Sequence, residues 1–332
     1  MDLTYISSTP RERGLLGVEK ATLLYAVLTT VLIVVFRSQL HEPALLLTGR
    51  AMVVAGLGIT LAVYHIVPSR LTLLLRYVYP LSLLGYWYPD TYEFCQLFPN
   101  LDHVFAAADL ALFGGQPSIS FSCLLPGKGW SELFHMAYFA YFPMIVVTVL
   151  SPLFTNPQRF GRTAFVVMAS FFLYYVIYLF LPVTGPQYYF HAIGTDAALQ
   201  GHFVHLGDYF RSHTEMSALP GPDGFFRQLV AQAHESGERP TAAFPSSHVG
   251  ISTILMLLLR RDNRRLMWIL FPFYVLLCLS TVYIRAHYLI DVFGGLLTAL
   301  VFYLLTSRLY PYAERSVGGF FCPVRAEGKQ HV

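Results

Sequence analysis

Apolar runs recur along this chain at lengths that leave few architectures open. They fall at 21–36, 51–67, 71–88, 132–150, 163–181, 248–261, 266–284 and 289–305. Most approach the roughly 20 residues that a helix needs to cross a bilayer. In hydrocarbon every backbone polar group must be satisfied inside the segment, so such runs read as helices. The rest of the composition agrees. Hydrophobic residues make up 55% of the 332 positions and charged residues 12%, where a soluble domain carries about 25% charge. The expected fold class is all-α: a polytopic membrane helical bundle of about eight transmembrane helices. The net charge of +3 is spread over loops, and no basic patch interleaves with aromatics, so a nucleic-acid partner is not expected. The first nineteen residues are polar and charged, so the first apolar run reads as a retained span rather than a cleaved signal. No P-loop, dinucleotide fingerprint or internal repeat is present.

Basic residues in short connections set the orientation. Arg260, Arg261, Arg264 and Arg265 crowd one turn, which is expected to be cytoplasmic. Counting spans from there puts Arg159 and Arg162, Arg70 and both termini on the same side. Arg37 and Arg50 fall on the other side and dissent. The connection 89–129, with Asp90, Glu93, Asp102 and Asp109 against a single Lys128, falls outside. Within it, 101–113 has helical periodicity and is expected to lie on the surface. Cys95 and Cys123 share this connection. An oxidising exterior would let them pair, but spacing alone leaves a disulfide and two free thiols equally open.

Two polar clusters sit at helix mouths. Phe244-Pro245-Ser246-Ser247-His248 leads into the sixth run, and Arg285-Ala-His287-Tyr288-Leu-Ile-Asp291 leads into the eighth. Two crossings separate them, so they face the same side. His287 and Asp291 are four apart and share a helical face. The carboxylate can fix the imidazole tautomer and leave the other nitrogen nucleophilic. Ser246 and Ser247 at a helix start add hydroxyls to the free backbone N–H groups and positive dipole end that attract anions. Arg285 supplies a planar fork for phosphate oxygens. Taken singly, the Ser-Ser-His start reads as a capped helix and Arg285 as an interfacial anchor, whereas ionisable groups such as the His287–Asp291 pair at a membrane helix read as functional rather than structural. Together they suit phosphoryl transfer through a phosphohistidine: His287 attacks phosphorus, His248 protonates the leaving oxygen, and Ser246, Ser247 and Arg285 hold the phosphate. The scheme needs no metal and no cofactor.

These residues, with Val292, Gly294 and Gly295, resemble the second and third motifs of the type-2 phosphatidic acid phosphatase superfamily. The resemblance implies a six-helix catalytic core with His287 as nucleophile, Asp291 as its support and His248 as acid. The implied organisation is a leader and membrane helices over 1–100, the catalytic core over 101–310 and a short cytoplasmic tail over 311–332. The first motif departs from the phosphatase branch: its Lys…Arg-Pro pattern is replaced by Leu181-Pro-Val-Thr-Gly-Pro-Gln-Tyr-Tyr189. The compact His-Tyr-x-x-Asp-Val form and the Gly185-Pro186…Tyr188 element are similar to the inositol phosphorylceramide synthase and sphingomyelin synthase branch. That implies transfer of a phosphorylated headgroup, inositol phosphate-like, from a phospholipid donor to a lipid acceptor such as ceramide or diacylglycerol. Gly185, Pro186, Tyr188, Tyr189 and Tyr288 would then line the lipid or headgroup pocket. The expected location is the plasma or inner membrane of a bacterium, or a Golgi-type membrane of a eukaryote, with the site on the extracytoplasmic side. The rivals are a lipid phosphate phosphatase, with water as acceptor, and a non-catalytic lipid-binding or transport protein. Oligomeric state is left open.

Weaker signals accompany these. His202 and His205 have a spacing seen in metal sites but no carboxylate or Cys cluster, so metal is not expected there. His65 and His135 read either as cavity-lining or as satisfied histidines. Gly294 and Gly295 are expected to let the eighth helix approach the sixth.

Overall fold

The computed structural model describes residues 14–314, and among them every regular element is helical. The chain opens with α1 (Gly17–Val35) and α2 (Pro43–Ile66), followed by the shorter α3 (Arg70–Ser82) and α4 (Leu84–Cys95). Two short helices, α5 (Asp102–Phe113) and α6 (Pro117–Leu124), lead to α7 (Lys128–Phe139), α8 (Tyr141–Thr155) and α9 (Phe160–Phe180). Then come α10 (Pro186–Ile193), α11 (Thr195–Leu199), α12 (Phe225–Gly237), α13 (Ser247–Asp262), α14 (Arg264–Tyr283) and α15 (Leu289–Ala313). The stretch between the fifth and sixth apolar runs contains three of these helices, α10, α11 and α12.

Among the described residues, six helical stretches are long and apolar enough to cross a membrane: α1, α2, the α7–α8 pair, α9, α14 and α15. The sequence runs suggested eight, and two do not qualify. The 71–88 run breaks at Leu83, between Pro80 and Gly85, into α3 and α4. The sixth run becomes α13, with 16 residues. At 1.5 Å per residue it is about 24 Å long, against a hydrocarbon core of roughly 30 Å. Neighbours surround α13 instead of lipid, and Val249, Ile251, Ile254, Leu255, Leu258 and Leu259 are all buried. The bend between α7 and α8 at Ala140 precedes Pro143, whose ring clashes with the carbonyl one turn back and whose nitrogen cannot donate.

Lipid-facing and core-facing surfaces separate along the spans. Leu24, Val31, Ile59, Ile269, Leu297 and Leu304 are exposed apolar side chains on helix flanks, as hydrocarbon solvent allows. In contrast, α9 is buried around most of its circumference and forms the centre of the bundle.

Two ion pairs are buried inside this apolar body. Arg76, which interrupts the 71–88 run, donates from Nε and Nη2 to Glu19 at 2.7 and 2.6 Å, and both side chains are buried. Arg50 pairs with Asp90 at 2.5 Å and lies 5.2 Å from the Trp87 ring centroid. Its dissent from the orientation pattern has this cause: the charge is committed to Asp90 within the bundle. Cys95 is buried and Cys123 exposed, and both thiols are free. Cys322 lies outside the described residues, as do 1–13 and 315–332. α15 continues to Ala313, and most of the tail expected over 311–332 lies outside the described residues.

Candidate active site

The two sequence clusters meet at one end of the bundle. Close packing of α15 on α13 brings them there, and Gly295 permits it. A Cβ at Gly295 would stand 2.6 Å from the carbonyl oxygen of Ser246. The Ser246 N–H in turn donates to the Asp291 carbonyl at 3.1 Å, and the Tyr178 hydroxyl from α9 donates to the Pro245 carbonyl at 2.6 Å. The ring centroids of His248 and His287 end 5.8 Å apart. His248 is held between Tyr138, stacked at 4.7 Å, and Tyr141 at 4.5 Å.

The tautomer of His287 follows from its neighbours. Nδ1 lies 2.8 Å from the Ala243 carbonyl oxygen and 3.4 Å from Asp291 Oδ2. A carbonyl can only accept, so Nδ1 carries the proton and Nε2 keeps its lone pair. The sequence assigned this orienting task to Asp291 alone. The structure gives the shorter contact to a backbone carbonyl in the segment before α13. Asp291 Oδ2 also accepts the Tyr288 N–H at 2.9 Å, while Oδ1 is buried without a partner. Burial brings the His287 imidazole down to about 4, against the opposing pull of the Ala243 carbonyl. The ring is therefore neutral at neutral pH, the state a nucleophile needs.

A cavity opens beside both rings. Tyr88, Tyr138, Glu238, Thr241, Ser247, His248 and His287 line it, with Thr184 and the small side chains of Ala242, Ala243 and Ala286. None of these residues is Lys or Arg. Two of the framing residues, Ala242 and Arg285, have φ of 66°. That left-handed conformation costs a non-glycine residue about 1–2 kcal/mol, and here the surrounding packing imposes it beside the two histidines.

Three residues outside the motifs hold the frame. Asp102 on α5 accepts from the Thr184 N–H and hydroxyl (2.7 and 2.9 Å), the Gly185 N–H (2.8 Å), the Asn100 amide (2.6 Å) and the Tyr288 hydroxyl (2.9 Å). Asp109, two turns later, accepts the N–H groups of Leu289 and Ile290, both at 2.9 Å, and so caps α15. Gly185 has φ of 93°, and a Cβ there would stand 2.6 Å from the Ala286 carbonyl oxygen. The Gln187 N–H donates to the Arg285 carbonyl at 2.9 Å. Thus α5, the 181–189 segment and the start of α15 form one hydrogen-bonded unit. The helix α5 was expected on the surface. It does expose Val104, Leu112 and Phe113, but Asp102, Ala106 and Asp109 are buried on its other face. Their i, i+4, i+7 spacing was a readable signal. Glu238 had none, since it stands in a polar stretch like any loop carboxylate.

Other sequence candidates stand behind the cavity wall. Ser246 is buried and caps α13 through the Val249 N–H at 3.4 Å. Arg285 Nη2 donates to Ser122 Oγ at 3.3 Å, and its Nε is buried without a partner. Pro186 occupies the first turn of α10. Tyr188, Tyr189 and Tyr288 are fully buried, and the Tyr189 hydroxyl donates to the Val204 carbonyl at 2.9 Å. His135 is buried with Nδ1 2.7 Å from the Ser131 carbonyl, whereas His65 is exposed. His205 meets His103 edge to face at 4.7 Å, away from His202. Among the described residues no group of three His, Cys, Asp or Glu could hold a metal ion.

A family model described as the PAP2 superfamily matches residues 105–305, more than half of the chain. The match takes in both motif clusters, the cavity wall from Tyr138 onward, and Asp109. No curated protein and no solved structure matched the chain.

Proposed function

This chain belongs to the PAP2 superfamily, and from that premise we propose that it is a lipid phosphotransferase that moves a phosphorylated headgroup from a phospholipid to a lipid alcohol. Membership makes it a membrane enzyme with phosphatase or phosphotransferase activity on phosphorylated lipids. The preference for transfer is carried by one observation: the cavity beside His248 and His287 has no Lys or Arg on its wall. Such a cavity suits the single charge of a phosphodiester better than the double charge of a phosphomonoester. A diester cleaved on its diacylglycerol side leaves the headgroup phosphate on the enzyme, ready for a second lipid. The inositol phosphate-like headgroup and the ceramide or diacylglycerol acceptor come from the motif resemblance.

In the proposed cycle, His287 Nε2 attacks phosphorus and the bond to the diacylglycerol oxygen breaks. His248, which takes up a proton against the downward push of burial and of His287, gives that proton to the oxygen. The acceptor hydroxyl then attacks phosphorus, the N–P bond breaks, and the hydroxyl proton returns to His248. The Ala243 carbonyl and Asp291 hold His287 in the reacting tautomer. Ser247 and the first N–H groups of α13 face the phosphate oxygens.

Sidedness is part of the proposal. α13 runs from the site to Arg260 and Arg261, and Arg159 at the start of α9 pairs with Asp262. The basic turns therefore share the end away from the site. The positive-inside rule makes that end cytoplasmic and the site extracytoplasmic.

The test is an acceptor assay in liposomes with a headgroup-labelled phospholipid, offering ceramide and diacylglycerol. Label on the second lipid supports transfer. Water-soluble labelled product with no lipid product would assign water as the acceptor and make the enzyme a phosphatase.

A further inference from the structure

One ionisable group on the cavity wall has no part in the phosphoryl-transfer cycle. Glu238 follows α12 directly and lines the cavity with Ser247, His248 and His287. Tyr88 of α4 donates its hydroxyl to Glu238 Oε1 at 3.2 Å. On the same wall, Thr241 has a buried hydroxyl with no hydrogen-bond partner.

We propose that Glu238 is a specificity-determining residue: it takes a hydroxyl of an uncharged polyol headgroup on the reacting phosphate and excludes phosphomonoesters. This rests on the transferase reading and assigns the choice between donors to one residue.

The chemistry has two sides. A carboxyl group, a tyrosine hydroxyl and an unpartnered threonine hydroxyl offer both acceptors and donors, the pattern that a hydroxyl-bearing ring requires. A phosphomonoester, however, carries about 1.5–2 negative charges near pH 7, with a second pKa of about 6. A histidine that takes up a proton as the phosphate binds is the one cation that the wall can supply, because burial holds both imidazoles below their ordinary value. It balances a diester, whereas a second phosphate charge would face Glu238 with no counter-charge. The groups around Glu238 do not alter this. They are the neutral phenols of Tyr88, Tyr138 and Tyr188, the two histidines, and the exposed Arg239, which donates to the Glu238 backbone carbonyl at 3.0 Å. Burial lifts the Glu238 carboxyl to about 7, against the pull of Tyr88 and Arg239. Below that pH it is a neutral donor and acceptor, and above it a carboxylate. Binding a monoester dianion then requires uptake of a proton, which becomes about tenfold less favourable per pH unit above 7.

The experiment measures turnover of two probes, phosphatidylinositol and phosphatidic acid, in mixed micelles from pH 6 to 8.5. The wild type is compared with Glu238→Gln and Glu238→Ala. The wild type should prefer phosphatidylinositol, increasingly so as pH rises. Glu238→Gln keeps the hydrogen-bonding shape and removes the charge. It should raise the phosphatidic acid to phosphatidylinositol ratio about tenfold at pH 8 and flatten its pH dependence. Glu238→Ala should also lose phosphatidylinositol turnover. An unchanged ratio in Glu238→Gln, or equal loss on both probes, overturns the proposal. Product analysis keeps the two claims apart. A shifted ratio with only water-soluble product would leave the role of Glu238 standing and reject the transferase reading.

Discussion

At the scale of single residues, the account turns on a buried, neutral His287 whose proton is fixed on Nδ1. An ordinary histidine is half protonated near pH 6.5, and burial brings this one to about 4. The sign of the consequence is definite. Protonation removes the nucleophilic lone pair, and the depressed value delays protonation. The acid limb of kcat/KM should therefore lie near pH 4, below the range where a free histidine titrates. A rate–pH profile of the wild type checks this, and an acid limb near 6.5 would contradict it. The opposite limb reports loss of the proton from the acid, so the profile is bell-shaped. The grouping of the proposed reacting residues was readable from their spacing, because residue types and a helical period determine which groups share a face. The Ala243 carbonyl was not readable, since any residue supplies one and only the folded path brings it to Nδ1.

Among the elements, α5 shows how far a polar residue's meaning depends on where its helix packs. Asp102 and Asp109 belong to an acidic connection in the sequence, and in the fold each is a buried acceptor. Removing Asp109 would free two N–H groups at the start of α15, a loss of a buried cap. Asp109→Ala should cost about 1–3 kcal/mol and lower activity through the position of His287. Asp102→Ala strands more donors and should cost more, seen as a larger fall in the melting temperature in detergent. Equal melting temperatures for wild type and Asp102→Ala would refute the clasp. Span counting met a related limit. The 71–88 and 248–261 runs have span-like hydropathy, but a break and a short length separate them from the six stretches that qualify. Hydropathy alone does not distinguish a helix facing lipid from one enclosed by other helices.

For the whole molecule, the bundle has one end that carries the histidine pair and another that collects the basic turns. Cys123 is exposed at the α6 terminus, next to the Ser122 that receives Arg285. A variant that retains Cys123 alone should react with a membrane-impermeant maleimide from the extracytoplasmic side of sealed vesicles. Labelling only after the vesicles are opened would reverse the proposed sidedness. The all-helical class and the meeting of both motifs followed from the sequence. The way the 181–189 segment, α5 and α15 interlock did not, because it depends on long-range backbone contacts at Gly185 and Gly295 that leave no periodic trace. The central claim is that His287 carries the phosphoryl group between donor and acceptor. It is tested most directly by rapid quench of the enzyme with a phospholipid labelled at phosphorus, under alkaline conditions that preserve phosphohistidine, followed by peptide mapping. The account predicts label on the peptide containing His287 and none in His287→Ala. Label on another residue, or full turnover by His287→Ala, would contradict it.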